Sequence, residues 1–229
     1  MITLFRRLAL SFLFGILLIN SAFCQNPNRF QNEIDRFKAD TTDYTAINDL
    51  VLFTGSSSIR FWTDVQKDFP DLHVINTGFG GSHMSDLLYY ADTVILHYRP
   101  VLIFIYEGDN DLADGKKPGE ILMDAGKLIR LIRQNLPRST ICFILPKPSI
   151  LRWNLKDTYL DFNHKLKGFT VQFPNVCCID VWDRMIGADG NPRRDIFLED
   201  GLHMNRKGYD LWKDLVGKFL KSHRFRGKA

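Results

Sequence analysis

The chain has 229 residues, 45% of them hydrophobic and 24% charged. That size and balance suit one soluble globular domain with a full core, and they exclude a disordered or fibrous protein. The formal net charge of +4 is small for this length and gives no reason to invoke nucleic acid or an anionic membrane surface as partner.

In chain order the first element is a leader. Arg6 and Arg7 precede an apolar run from Leu8 to Ile19, followed by Asn20, Ser21 and Ala22. These are the charged, apolar and small-residue regions of a secretory signal over residues 1–24, with a cut before Gln25. The run is short for a membrane span, so no transmembrane span is expected after processing. The mature protein is expected to be secreted or periplasmic. Lipid attachment at Cys24 is a competing reading, opposed by bulky Phe23 and by Ser21 where Leu is usual; an uncleaved anchor is another. Because residues 1–24 contain Arg6 and Arg7 and no acid, cleavage lowers the formal charge from +4 to +2.

The rest, 25–229, reads as one domain. Phe30, Ile34 and Phe37 at helical spacing predict an amphipathic helix within 26–43. Short, nearly continuous apolar runs predict buried strands over 50–53, 73–76, 101–106, 140–145 and 176–181. Helical patterns fill the intervals at 59–69, 85–96, 118–134 and 155–173, and a last helix covers 206–222. The basic residues Lys221, Arg224, Arg226 and Lys228 read as a solvated, frayed tail over about 220–229. Alternation of strand and helix predicts a three-layer α/β domain with a five-stranded, mainly parallel sheet. Cys142, Cys177 and Cys178 lie in strand-like runs without metal-type spacing, so buried thiols are expected and no metal site.

In such sheets the ligand crevice lies beyond the carboxyl ends of the strands. After the first strand comes Thr54-Gly55-Ser56-Ser57-Ser58, where a strand-to-helix turn either exposes a serine hydroxyl or supplies a serine N-cap. The second strand leads into Asn76-Thr77-Gly78-Phe79-Gly80-Gly81-Ser82, whose glycines leave backbone N–H groups unshielded. Glu107-Gly108-Asp109-Asn110-Asp111 follows the third, with Asn110 able to offer an amide N–H₂; a polar turn or a cation site are the other readings of this acidic stretch. Near the C-terminus stands Asp200-Gly201-Leu202-His203, where an acid three residues before a histidine can accept its Nδ1–H and leave Nε2 as a base. Together these supply a nucleophile (Ser57), a base (His203), an orienting acid (Asp200) and oxyanion donors (the N–H groups of Ser57 and Gly81, and Asn110).

These residues resemble the SGNH (GDSL-type) hydrolase family. Phe53 to Ser58 aligns with its first block and places Ser57 on the nucleophile. Asn76 to Ser82 aligns with the second and places Gly81 on the oxyanion glycine. Gly108 to Asp111 meets the third block in full, and Asp200 to His203 meets the last. The overall look is similar to the platelet-activating-factor-acetylhydrolase-like branch. The resemblance implies a flavodoxin-like sheet, Ser-His-Asp ester hydrolysis through an acyl-enzyme, and no cofactor. Two positions depart from the pattern: Ser56 replaces the usual Asp of the first block, and Ser82 stands where Asp or Asn is frequent. Ser56 and Ser58 are secondary nucleophile candidates.

The expected substrate is a small-molecule or glycan ester, with O-acetyl groups on carbohydrate favoured over short acyl lipids or thioesters. In the loop 146–153, Trp153 is a candidate to stack on a sugar ring and Arg152 to meet an anion; packing or capping of the loop is the alternative for both. A non-catalytic glycan-binding protein retaining the fold is the rival from another class.

Overall fold

The computed structural model describes residues 26–223; residues 1–24, where a signal segment is expected and which include Cys24, lie outside them, as do Arg224, Arg226 and Lys228. Lys221 lies within the last helix, whose Leu220 is buried, so the frayed tail expected from 220 does not begin there. Five strands form one sheet: β1 Leu50–Gly55, β2 His73–Asn76, β3 Leu102–Tyr106, β4 Thr140–Ile144 and β5 Val176–Ile179. The spatial order is β2-β1-β3-β4-β5, and every pairing is parallel. This is the flavodoxin-like order, and the direction of winding reverses between β1 and β3, which opens a crevice at their carboxyl ends.

Side chains alternate across the strands, so each apolar run feeds two cores. Leu50, Leu52, Ile103 and Ile105 pack on one face beneath α1 (Gln31–Lys38), α4 (Met84–Tyr89), α5 (Ala91–Val94), α7 (Pro118–Asn135) and α8 (Lys156–Thr170). Val51, Phe53, Leu102, Phe104 and Tyr106 face the other way, toward α2 (Ser57–Arg60), α3 (Val65–Asp68) and α9 (Arg206–Ser222). None of the described helices is long and apolar enough to cross a membrane. Cys142, Cys177 and Cys178 are free thiols, and Cys142 is buried.

Three expected elements differ in detail. The N-terminal helix begins as a 3₁₀ turn, Pro27–Phe30, before α1, and Phe30, Ile34 and Phe37 are its buried residues as their spacing implies. The helix expected over 59–69 is two short pieces, α2 and α3. Between them Asn76 Nδ2 donates to the carbonyls of Ile59 (2.7 Å) and Trp62 (3.2 Å), acceptors that a continuous helix would use itself. Trp62 is buried and donates to Asp68 at 2.8 Å, so tertiary packing overrides helical continuity. The helix expected over 85–96 breaks near Tyr90 and ends in a 3₁₀ turn, Leu96–Tyr98; Arg99 (φ 51°) then turns the chain toward Pro100.

The end of β1 is where the fold sets the site. Gly55 has φ +123°, and a Cβ there would lie 2.2 Å from the carbonyl oxygen of Tyr106. Only glycine permits this approach of β1 to β3. Gly55→Ala is therefore expected to lower the unfolding free energy by about 2–5 kcal/mol through combined backbone strain and overpacking, checked by urea denaturation of the purified protein.

Candidate active site

The turn out of β1 places Ser57 at the start of α2, with Ser56 N–H donating to Tyr106 O at 3.0 Å. Ser56 occupies the N-cap position but its side chain makes no capping bond. Ser57 Oγ lies 3.0 Å from His203 Nε2. α9 packs behind this turn, and Tyr209 OH donates to Ser58 O at 3.0 Å, so the helix that follows His203 also braces the one that carries Ser57.

The loop bearing His203 is closed by an antiparallel bridge between Phe197 and Met204 and by Leu198 N–H donating to His203 O at 2.8 Å. Asp200 organises it. One carboxylate oxygen accepts the backbone N–H of Leu202 and of His203, both at 2.9 Å, and the other lies 2.6 Å from His203 Nδ1. An acceptor-only carboxylate at Nδ1 makes that nitrogen the donor and leaves Nε2 to accept the Ser57 hydroxyl proton. Partial burial pushes the Asp200 carboxyl upward, but the bonds from the His203 ring and from the two backbone N–H groups outweigh it and bring its pKa to about 2. The ring of Phe61 meets the His203 ring edge-to-face at 4.8 Å, a contact that limits imidazole rotation.

Across the crevice, Gly108 (φ +102°) turns the chain from β3 into α6 (Asp109–Ala113). The stretch, for which a polar turn is one reading of the sequence, is thus one helical turn, with Asp109 buried. Asn110 Nδ2 donates one hydrogen to Ser82 O at 2.9 Å. Gly81 is adjacent: a Cβ there would meet Asn110 Nδ2 at 3.9 Å. Among the described residues no protein acceptor takes the N–H of Ser57 or of Gly81. The glycine-rich loop is itself held, by Gly80 N–H donating to Glu33 at 3.1 Å and Ser82 Oγ donating to Glu107 at 2.6 Å. Glu107 is fully enclosed, and burial, reinforced by the charge of Asp111, pushes its carboxyl well above the usual carboxylate range.

Arg152 and Trp153 border the crevice in a different sense from a free anion site and a free platform. The Arg152 guanidinium donates to Asp109 Oδ1 at 2.5 Å and to Asn110 Oδ1 at 3.0 Å, so its charge is met by the protein's own carboxylate. Trp153 stacks on Trp182 at 6.0 Å, with Lys156 over its ring. Asp109 also accepts from Tyr106 OH (2.7 Å), Tyr159 OH (2.5 Å) and the fully buried Lys147 (3.4 Å). Burial raises the Asp109 carboxyl, yet the two cations and two phenols win and hold it far below the ordinary value. Burial in turn pushes the Lys147 ammonium down. Sequence reading passes over this cluster: its members lie on β3, α6, the 146–153 loop and α8, and a lysine between two prolines carries no local sign of a partner. Among the described residues, no group of three His, Cys, Asp or Glu side chains is arranged to hold a metal ion.

The model of the GDSL-like lipase/acylhydrolase family matches residues 43–211. A GDSL-like lipase from Bacteroides thetaiotaomicron superposes with TM-score 0.70 at 16% identity, covering 86% of this chain and 98% of that one. A lipase/acylhydrolase from Enterococcus faecalis gives 0.64 at 19%, covering 79% and 99%. A carbohydrate esterase family 3 protein from Talaromyces cellulolyticus gives 0.60 at 17%, covering 76% and 97%. Among curated proteins, the N-acylneuraminate cytidylyltransferase of Escherichia coli is 25% identical over 203 residues; the match takes in 86% of this chain and 46% of that protein, so the chain spans about half the length of this relative. With the flavodoxin-like sheet and a family match over most of its length, the chain belongs to the GDSL-like lipase/acylhydrolase family.

Proposed function

We propose that the protein is an exported serine esterase that removes small acyl groups, O-acetyl groups of carbohydrate foremost, by acyl-enzyme catalysis. The observation that carries this reading is the continuous line from Asp200 through His203 to the Ser57 hydroxyl, at 2.6 and 3.0 Å. In the first half-reaction Ser57 Oγ attacks the ester carbonyl while His203 Nε2 takes its proton. The carbonyl electrons move onto oxygen, and the N–H groups of Ser57 and Gly81 and the second Nδ2–H of Asn110 receive that oxyanion. Collapse expels the alcohol, which takes the proton from His203. Water then repeats the sequence on the acyl-enzyme and releases the acid. Asp200 holds the ring and stabilises the imidazolium without itself taking a proton.

The preference for a bulky alcohol is supported by the openness of the base side. The side chains of His203 and Asp200 are 21% and 45% exposed, which leaves room for a sugar at the leaving-group position. Export rests on the leader over residues 1–24, and N-terminal sequencing of the released protein is expected to begin at Gln25; a lipid-modified Cys24 would replace that reading with a membrane-tethered one.

Ser57→Ala is expected to abolish hydrolysis of acetylated sugars and of short p-nitrophenyl esters and to prevent fluorophosphonate labelling; a labelled, active Ser57→Ala protein would overturn the assignment. Asn110→Ala should lower kcat by about 10²–10³-fold with the fold intact. Asp200 yields a pH prediction. Its folded pKa of about 2 lies below the ordinary 3.8. The stability it contributes is thus fully present above the ordinary value and is lost as pH falls toward 2. A carboxyl ¹³C NMR titration should place its midpoint near 2, and the resonance should be missing in Asp200→Asn.

A further inference from the structure

An asparagine in an oxyanion site carries a hazard. Its amide is nearly symmetric in shape, so a half-turn about the last side-chain bond would present Oδ1 to the oxyanion in place of Nδ2. The surroundings of Asn110 remove that ambiguity. Ser82 O can only accept, so it selects Nδ2, at 2.9 Å. The guanidinium of Arg152 can only donate, so it selects Oδ1, at 3.0 Å. In the turned-over amide both contacts would become repulsive. A cation bonded to the amide oxygen also draws electron density from the nitrogen and sharpens Nδ2–H as a donor.

Arg152 is itself held in place. Its second terminal nitrogen bonds Asp109, whose carboxylate is pinned by Tyr106 and Tyr159. The Arg152 side chain is 17% exposed, against 5% for Asp109. The backbone just before it, Leu151 N–H, donates to Gly201 O at 3.0 Å. One segment therefore touches both the loop that bears the base and the amide that faces it. Each terminal nitrogen of the guanidinium is thus engaged inside the protein, one on Asp109 and one on Asn110.

We propose that Arg152 is a positioning residue for ester hydrolysis, fixing the Asn110 amide so that Nδ2–H faces the developing oxyanion. The proposal rests on the reading of Asn110 as an oxyanion donor. It predicts a cost confined to turnover and transmitted only through Asn110. The test is a double-mutant cycle on the full mature protein with p-nitrophenyl acetate, measuring kcat and KM for Arg152→Ala, Asn110→Ala and the pair. Arg152→Ala should lower kcat by about 10- to 100-fold, the worth of a hydrogen bond to a charged group, with KM nearly unchanged. In the Asn110→Ala background the same change should cost less than about 3-fold, since contacting residues that act together are non-additive. Arg152→Lys retains a cation for Asp109 but lacks the planar fork. It should keep the thermal midpoint close to that of the parent and still lose most of the kcat, which separates positioning from folding.

A full additional loss on top of Asn110→Ala would overturn the proposal, as would a rise in KM with kcat intact, the mark of a substrate contact. An impaired Asn110→Ala enzyme beside an unimpaired Arg152→Ala enzyme would sink the role of Arg152 alone. An unimpaired Asn110→Ala enzyme would sink the assignment of Asn110 and the role of Arg152 with it.

Discussion

The hydrogen bond from Ser56 N–H to the carbonyl of Tyr106 joins the ends of β1 and β3, and both sides of the site are built outward from it. On the β1 side it aims the first turn of α2, and with it Ser57. On the β3 side it anchors Tyr106, whose hydroxyl reaches forward to Asp109. Asp109 holds Arg152, and Arg152 holds Asn110. The two halves of the crevice thus share one origin, the close approach that Gly55 allows. A parallel pair at a winding reversal is well suited to this, because its backbone ends are spaced by the ladder itself and not by a flexible loop.

The electrostatic design behind the crevice is costly taken alone. Asp109 and Lys147 are both removed from water, and an ion pair in such a place barely offsets its own desolvation. The phenols of Tyr106 and Tyr159 and the Arg152 fork complete the carboxylate's coordination and make the arrangement tolerable. Its return lies in rigidity more than in stability: a saturated buried network has one arrangement, and whatever hangs from it inherits that precision. Glu107 is treated in the opposite way. Among the described residues no cation forms an ion pair with it, and burial, reinforced by the charge of Asp111, pushes its carboxyl well above the usual carboxylate range under the glycine-rich loop. Two acids after β3 are thereby shifted in opposite directions, Asp109 downward by Lys147 and Arg152 and Glu107 upward by burial and the charge of Asp111.

Much of the architecture was legible before any coordinates, because fully buried parallel strands write themselves as continuous apolar runs. All five strands and the long helices α7, α8 and α9 stand where periodicity places them, within a few residues. The broken helices were not legible. The signal for stopping α2 is Asn76, a side chain on a different strand that takes the carbonyls of Ile59 and Trp62. Ser57, His203 and Asp200 meet in space and Gly81 lies beside Asn110, and each was readable because its local motif is short: Asp200 and His203 lie within one loop, and Gly81 sits in a run of glycines. Their supports were invisible for the converse reason. Arg152 and Asp109 are 43 positions apart, and nothing in either neighbourhood names the other. Arg152 and Trp153 looked available to a ligand in the sequence because solvent-loop composition does not reveal which side chains the fold has already claimed.

The separation of Ser57 from His203 has a consequence for synthesis. The two lie 146 residues apart, and the base arrives with almost the last loop of the domain, seated by α9 against α2. On the proposed assignment, a growing or untranslocated chain carries Ser57 as an ordinary alcohol with no acceptor for its proton. Reactivity switches on only when the C-terminal helix docks, so the compartment in which the protein folds is also the first in which it can cut an ester.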